Sequence, residues 1–172
     1  NGGFMAPIYP YFFDVEGFPD VELYGITGEQ QAKNTAALQR LIELAHERGI
    51  RFSAGIWDHI YRGGVQGGGI EGASDLVGKK TPHLVYGVTK ENLAPYTKTA
   101  LAQFLTVFPN IDGIQFRMHW ESGLTRKETP GFWQEVFSKL REVQPNIQFD
   151  LRAKGLPDEV IDNAVAQRLP FR

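Results

Sequence analysis

The stretch Ile114-Gln115-Phe116-Arg117-Met118-His119-Trp120-Glu121 alternates strictly between apolar and polar side chains. Successive side chains of a β-strand point to opposite faces. Ile114, Phe116, Met118 and Trp120 therefore share one face, and Gln115, Arg117, His119 and Glu121 the other. The pattern returns downstream, where Ile147, Phe149, Leu151 and Ala153 stand against Gln148, Asp150, Arg152 and Lys154. A strand buried on both faces of a parallel sheet reads instead as a continuous apolar run. The apolar sets suit packing under helices. The polar sets require water, a ligand or one another, because burying unpaired charge is costly. Arg117 with Asp150, and Glu121 with Arg152 or Lys154, are the candidate mutual pairs, with register not readable from sequence.

Working outward, helical patterns separate the strands. Thr27-Gly28-Glu29-Gln30 reads as a capping box, Leu38, Leu41, Ile42 and Ala45 repeat at helical spacing, and Gly49 supplies the stop. A strand is expected from Ile50 to Trp57. The Gly-rich stretch from Asp58 to about Gly87 is too long for a plain connection, and loops of that length usually serve a function. A second helix begins near Thr89 or, more firmly, at Pro95, with Leu101, Phe104, Leu105 and Phe108 as its stripe and Pro109-Asn110 as its end. After the strand Ile111 to Trp120, Thr129-Pro130 caps and starts a third helix, with Trp133, Val136, Phe137 and Leu140 facing inward. Pro145-Asn146 closes it, and Ile147 to Ala153 is the next strand. Pro157-Asp158-Glu159 opens the last helix with acidic residues that suit the helix dipole, and Val160, Ile161 and Ala164 form its apolar side. Phe4 to Phe13, aromatic and interrupted by proline, reads as the end of one further strand running into a loop.

Strands alternating with helices of this length imply βαβ units and a parallel sheet. The polar groups culminate at the C-terminal ends of strands, where barrel enzymes place their sites. The expected fold is therefore α/β, a (β/α)8 TIM-barrel type of which residues 1–172 form a single incomplete domain of about four βα units. The competing reading is a two-layer sheet with one face in water. A full barrel runs to about 250 residues. The chain also starts at Asn1 without a leader pattern and stops soon after a helical segment, so it reads as processed, excised or truncated. Half a barrel leaves two sheet edges unpaired, so the remaining barrel half or a second copy is the expected protein partner.

Composition narrows the chemistry. With 42% apolar and 22% charged residues the chain is an ordinary globular one, and its net charge of −2 gives no footprint for nucleic acid. No apolar run reaches the roughly 18 residues of a membrane span. The absence of cysteine removes disulfides, zinc–thiolate sites and thiol nucleophiles. No HxH or HExxH spacing supports a metal, and Gly67-Gly68-Gly69 matches neither a P-loop nor a dinucleotide fingerprint. No cofactor is expected.

Glu121 follows its strand directly, beside His119 and Trp120, a place suited to proton transfer onto a leaving oxygen. Its structural alternative is an ion pair with Arg152 or a cap on the following turn. Two-carboxylate chemistry needs a second acid. Asp58 lies at a strand end, and Asp150 lies mid-strand, where ion pairing with Arg117 competes. Trp57 and Trp120 are strand-terminal aromatics suited to stacking on a sugar ring, with core packing the rival reading, stronger for Trp120. His59 and His119 suit hydrogen bonding to substrate, whereas His46 and His83 read as surface residues. Arg117, Arg152 and Lys154 form a cationic cluster fit for a carboxylate or phosphate, or for neutralising Asp150 and Glu121.

Three stretches carry a family resemblance: Tyr96-Thr97-Lys98-Thr99-Ala100-Leu101, Asp112-Gly113-Ile114 running to Glu121-Ser122-Gly123, and Asp150-Leu151-Arg152-Ala153-Lys154-Gly155. In these the second half of the chain resembles the glycoside hydrolase barrels, nearest to the α-glucuronidase-like hydrolases and their uncharacterised bacterial relatives. The resemblance implies an eight-stranded barrel and hydrolysis of a glycosidic bond in a poly- or oligosaccharide, with Glu121 as general acid and Arg152 or Lys154 on a uronic carboxylate. It would favour a periplasmic or extracellular setting, which the sequence itself does not specify. The chain departs from the family in its number of units and in carrying Trp120 where many such enzymes have Asn before the acid. The alternatives are a non-catalytic carbohydrate-binding barrel and a barrel lyase or isomerase using Lys154 as base or Schiff-base amine.

Overall fold

The computed structural model describes residues 8–56, 80, 82–83, 85–118, 124–153, 157–168 and 170, with 117, 118 and 153 described by backbone alone. Four helices form where the apolar spacing requires them: α1 (Gly28–His46), α2 (Leu93–Val107), α3 (Thr129–Val143) and α4 (Asp158–Ala166). The strands are β1 (Glu22–Leu23), β2 (Ser53–Ile56), β3 (Val85–Tyr86), β4 (Gly113–Met118) and β5 (Gln148–Ala153). Strands β2, β4 and β5 make one parallel sheet in that order, and β1 pairs with β3 antiparallel.

The expected α/β alternation with a parallel sheet is present. The described residues form an open three-stranded sheet, and a closed barrel is not part of it. The apolar row of the alternating strands faces the helices. Phe116 lies 5.1 Å from Trp133 and 6.1 Å from Phe137, and Phe149 lies 5.0 Å from Phe137. All four rings are fully buried. The predicted stripes of α2 (Leu101, Phe104, Leu105, Phe108) and α3 (Trp133, Val136, Phe137, Leu140) are buried throughout.

Local differences have local causes. Thr27 caps α1 by accepting from the Gln30 N–H at 3.2 Å, but the Gln30 amide turns forward to Asn34 and only half of the expected box forms. On α1 only Ile42 of the expected stripe is fully buried, and Leu41 is 54% exposed. α2 starts two residues before Pro95, which remains inside the first turn where its missing N–H costs no helical bond. The N-cap of α3 is Glu128, one residue earlier than Thr129. Glu128 accepts from the Thr125 N–H at 2.9 Å and hydroxyl at 2.7 Å, and it pairs with Lys90 ahead of α2. Lys90 and those two bonds hold the Glu128 carboxyl down at about 2. Of the expected strand end running into a loop over Phe4 to Phe13, residues 4–7 lie outside the described residues, and Tyr9–Tyr11 form a 3-10 turn. Pro10 has a fixed φ and no N–H to give a ladder.

Asp112 fastens the sheet at the start of β4. Its N–H donates to the Phe52 carbonyl at 2.9 Å, and its carbonyl accepts from the Gln148 N–H at 3.2 Å. Its carboxylate accepts from the Phe52 N–H at 2.6 Å and meets His46 Nε2 at 2.8 Å. Burial pushes this carboxyl up, but the bonds from Phe52 and His46 with the charges of His46 and Arg51 outweigh it and hold the group below its usual range. A depressed folded pKa contributes stability that is present above the unfolded value of about 4 and is lost as pH falls through the folded one. Asp112→Asn is expected to cost about 1–2 kcal/mol near neutrality. The gap between wild type and variant in urea midpoint should close below about pH 4; a gap constant with pH would contradict the account.

Candidate functional site

Parallel pairing brings the three strand ends to one side of the molecule. Ile56 is level with Phe116, and Met118 is level with Ala153. The residues that follow these ends in sequence are Trp57-Asp58-His59, His119-Trp120-Glu121 and Lys154. All seven lie outside the described residues. What the structure describes is the sheet face that leads to them.

That face is polar and open. Ser53, Gly55 and Arg152 are exposed, and Gln115, Gln148 and Asp150 are half-buried. Asp150 is level with Gln115 and Arg117 with Arg152, so an Arg117–Asp150 pair would run diagonally across strands rather than side by side. Among the described residues neither Asp150 nor Arg152 takes part in an ion pair or a side-chain hydrogen bond. The side chain of Arg117 is outside the description. A Cβ at Gly113 would meet Ser53 Oγ at 2.6 Å and the Gln148 carbonyl at 3.1 Å, so a larger residue here would have to turn the Ser53 side chain aside.

The stretch Tyr96 to Leu101 is a core segment. Tyr96, Thr97, Ala100 and Leu101 are fully buried on α2. Among the described residues the Tyr96 hydroxyl has no hydrogen-bond partner, and burial, with the charge of Asp14, raises its pKa far above the ordinary tyrosine value. A groove of about 640 Å³ between α2 and α3 lies on the helical layer, away from the polar face. Its charges are paired internally, Lys98 with Glu135 at 2.6 Å and Lys139 with Glu142 at 2.8 Å, so it is not the candidate site. His46, read from sequence as a surface residue, is tied to Asp112, while His83 is exposed with a φ of 66°. Among the described residues no group of three His, Asp or Glu side chains is placed to hold a metal.

Sequence reading did not anticipate β1 and β3. β3 lies in the connection that leaves the C-terminal end of β2 and enters α2, and β1, which pairs with it, lies just ahead of α1. Two-residue strands are too short to show a period. Gly25 (φ +82°) and Gly87 (φ +85°), just after the two strands, were the available signal.

No family model matches this chain, and no curated protein or solved structure is significantly similar to it.

Proposed function

We propose that this chain is a section of a (β/α)8-type barrel glycoside hydrolase that uses carboxylate general acid/base catalysis on a poly- or oligosaccharide. The supporting observation is the polar face of β4 and β5, where Gln115, Asp150 and Arg152 form rows directed at the strand ends that Glu121, Asp58 and Lys154 follow in sequence. In this reading Glu121 protonates the glycosidic oxygen. Asp58 or Asp150 supplies the second carboxylate, at roughly 5 Å for retention or 6.5–9.5 Å for inversion. Trp57, His59, His119 and Trp120 contact the sugar, and Arg117, Arg152 and Lys154 neutralise an acidic substituent.

The barrel part of the proposal rests on strand order. Each strand of the sheet is added on the same side as the chain advances. The Pro170 carbonyl, beyond α4, accepts from the Phe149 N–H at 3.0 Å on β5, a rung that a further strand would make. Large exposed apolar side chains mark both ends of the layer, Leu41 (54%) and Ile50 (57%) at the α1–β2 end and Ile161 (39%) and Val165 (62%) on α4. Further barrel units, from the remaining half or a second copy, would cover them. The 172-residue chain alone is expected to sediment as a dimer or larger, and Leu41→Lys with Val165→Lys to shift it to monomer. A monomeric wild type would remove this support.

The function is tested by hydrolysis of a panel of aryl glycosides and aryl uronides by the protein carrying the whole barrel. Turnover of at least one substrate is expected. Folded protein with no turnover but measurable saccharide retention would replace the hydrolase with a carbohydrate-binding barrel.

A further inference from the structure

The small antiparallel sheet presents a composed surface on the side of the strand ends. Glu22 is level with Tyr86 and Leu23 with Val85. Alternation sends Leu23 and Val85 into the core, at 3% and 1% exposure, and puts Glu22, Tyr24 and Tyr86 on the opposite face. Tyr24 is 40% exposed. Its ring meets that of Tyr86 edge to face, with centroids 6.4 Å apart and planes at 89°. Lys80 Nζ lies 5.9 Å from the Tyr24 centroid and 5.6 Å from that of Tyr86, and it is ion-paired with Glu22.

Hydrogen bonds tie the backbone around this surface together. The Tyr24 carbonyl accepts from the His83 N–H at 2.8 Å, and the Gly87 carbonyl accepts from the Asn92 amide at 2.8 Å. A Cβ at Gly87 would sit 1.9 Å from the Asp20 carbonyl oxygen, so this turn admits only glycine. An exposed tyrosine on a backbone fixed by strand pairing loses little freedom when a ligand stacks on it.

We infer that Tyr24, Tyr86, Lys80 and Glu22 form a saccharide-binding subsite at the rim of the strand-end face. A pyranose ring in this place lays its C–H face against Tyr24, and its hydroxyls bond the Lys80 ammonium and the Glu22 carboxylate. Placed on the βα-loop side, the subsite holds a sugar unit remote from the bond that is cut. The inference rests on the carbohydrate reading above and deepens it.

Affinity electrophoresis of the full chain through gels containing soluble xylan, mixed-linkage β-glucan or polygalacturonate tests it, run beside the hydrolysis panel. At least one polysaccharide should retard the wild type. Tyr24→Ala should weaken that retention about tenfold, and Tyr24→Phe should keep it. Equal retention of Tyr24→Ala and wild type, or no retention of the wild type by any of the three, overturns the subsite. Hydrolysis of an aryl glycoside by a protein whose Tyr24→Ala variant binds normally would sink the subsite and keep the hydrolase. Retention lost in Tyr24→Ala with no glycoside hydrolysed would keep the subsite and sink the hydrolase.

Discussion

Glu121→Gln is expected to lower kcat on unactivated glycosides by about 100- to 10,000-fold. Glutamine keeps the size and hydrogen-bonding reach of glutamate but has no proton to deliver to a leaving oxygen. The loss should therefore depend on the leaving group. An aryl group with a stable phenolate needs little protonation, so 2,4-dinitrophenyl substrates should lose far less rate than alkyl or sugar leaving groups. That gradient separates an acid from a merely structural carboxylate paired with Arg152, whose removal would depress all substrates alike. The pH profile is a second check, since the limb assigned to the acid should disappear in the variant. Asp58→Asn and Asp150→Asn, measured in parallel, assign the second carboxylate. Azide should rescue the variant of the true second carboxylate with inverted stereochemistry, because the anion replaces either the lost nucleophile or the water that a lost base would activate, and no rescue is expected at a mere ion-pair partner.

The fold was legible wherever burial is one-sided. The α2 and α3 stripes and the alternation from Ile114 to Phe116 and from Ile147 to Leu151 are patterns that one packed face imposes, so the sequence carries them directly. Legibility fell where partners lie far away in the chain. Asp112 is held by Phe52 and His46, more than 50 residues earlier, and nothing in its own neighbourhood signals the bond. Leu41 sits at a helical core spacing yet is exposed, because spacing reports a face and not whether anything covers it. Around Pro10 the aromatic residues form a 3-10 turn, which a fixed φ and a missing N–H favour over a strand. For the candidate site, the alternation identified the polar face and the strand ends. Register was needed to show that Asp150 neighbours Gln115 rather than Arg117. The Tyr24–Tyr86 surface was invisible, since it depends on two dipeptides about 60 residues apart finding each other.

Phe116→Ala should be the most damaging core substitution, at about 3–5 kcal/mol. Phe116 is fully buried in the central strand and touches rings on two elements, Trp133 at 5.1 Å and Phe137 at 6.1 Å on α3, and Phe149 at 6.0 Å on β5. Truncation at the centre leaves a cavity that neither neighbouring strand can close, because β2 and β5 are held in register on both sides of β4. Against a total stability of about 5–15 kcal/mol, the loss would remove a large part of the folding free energy. The urea midpoint should fall steeply with an unchanged slope. Phe116→Leu, which fills most of the volume, should recover more than half of it. A double-mutant cycle with Trp133→Leu should return a coupling of about 1 kcal/mol, the excess of a ring pair over its burial alone. The contrast is Leu41→Ala on α1, 54% exposed, where no more than about 0.5 kcal/mol is expected in the monomer. Comparable losses at Leu41 and Phe116 would mean that the core is not centred on the apolar face of β4, and the division of the sheet into a packed face and a polar one would fail with it.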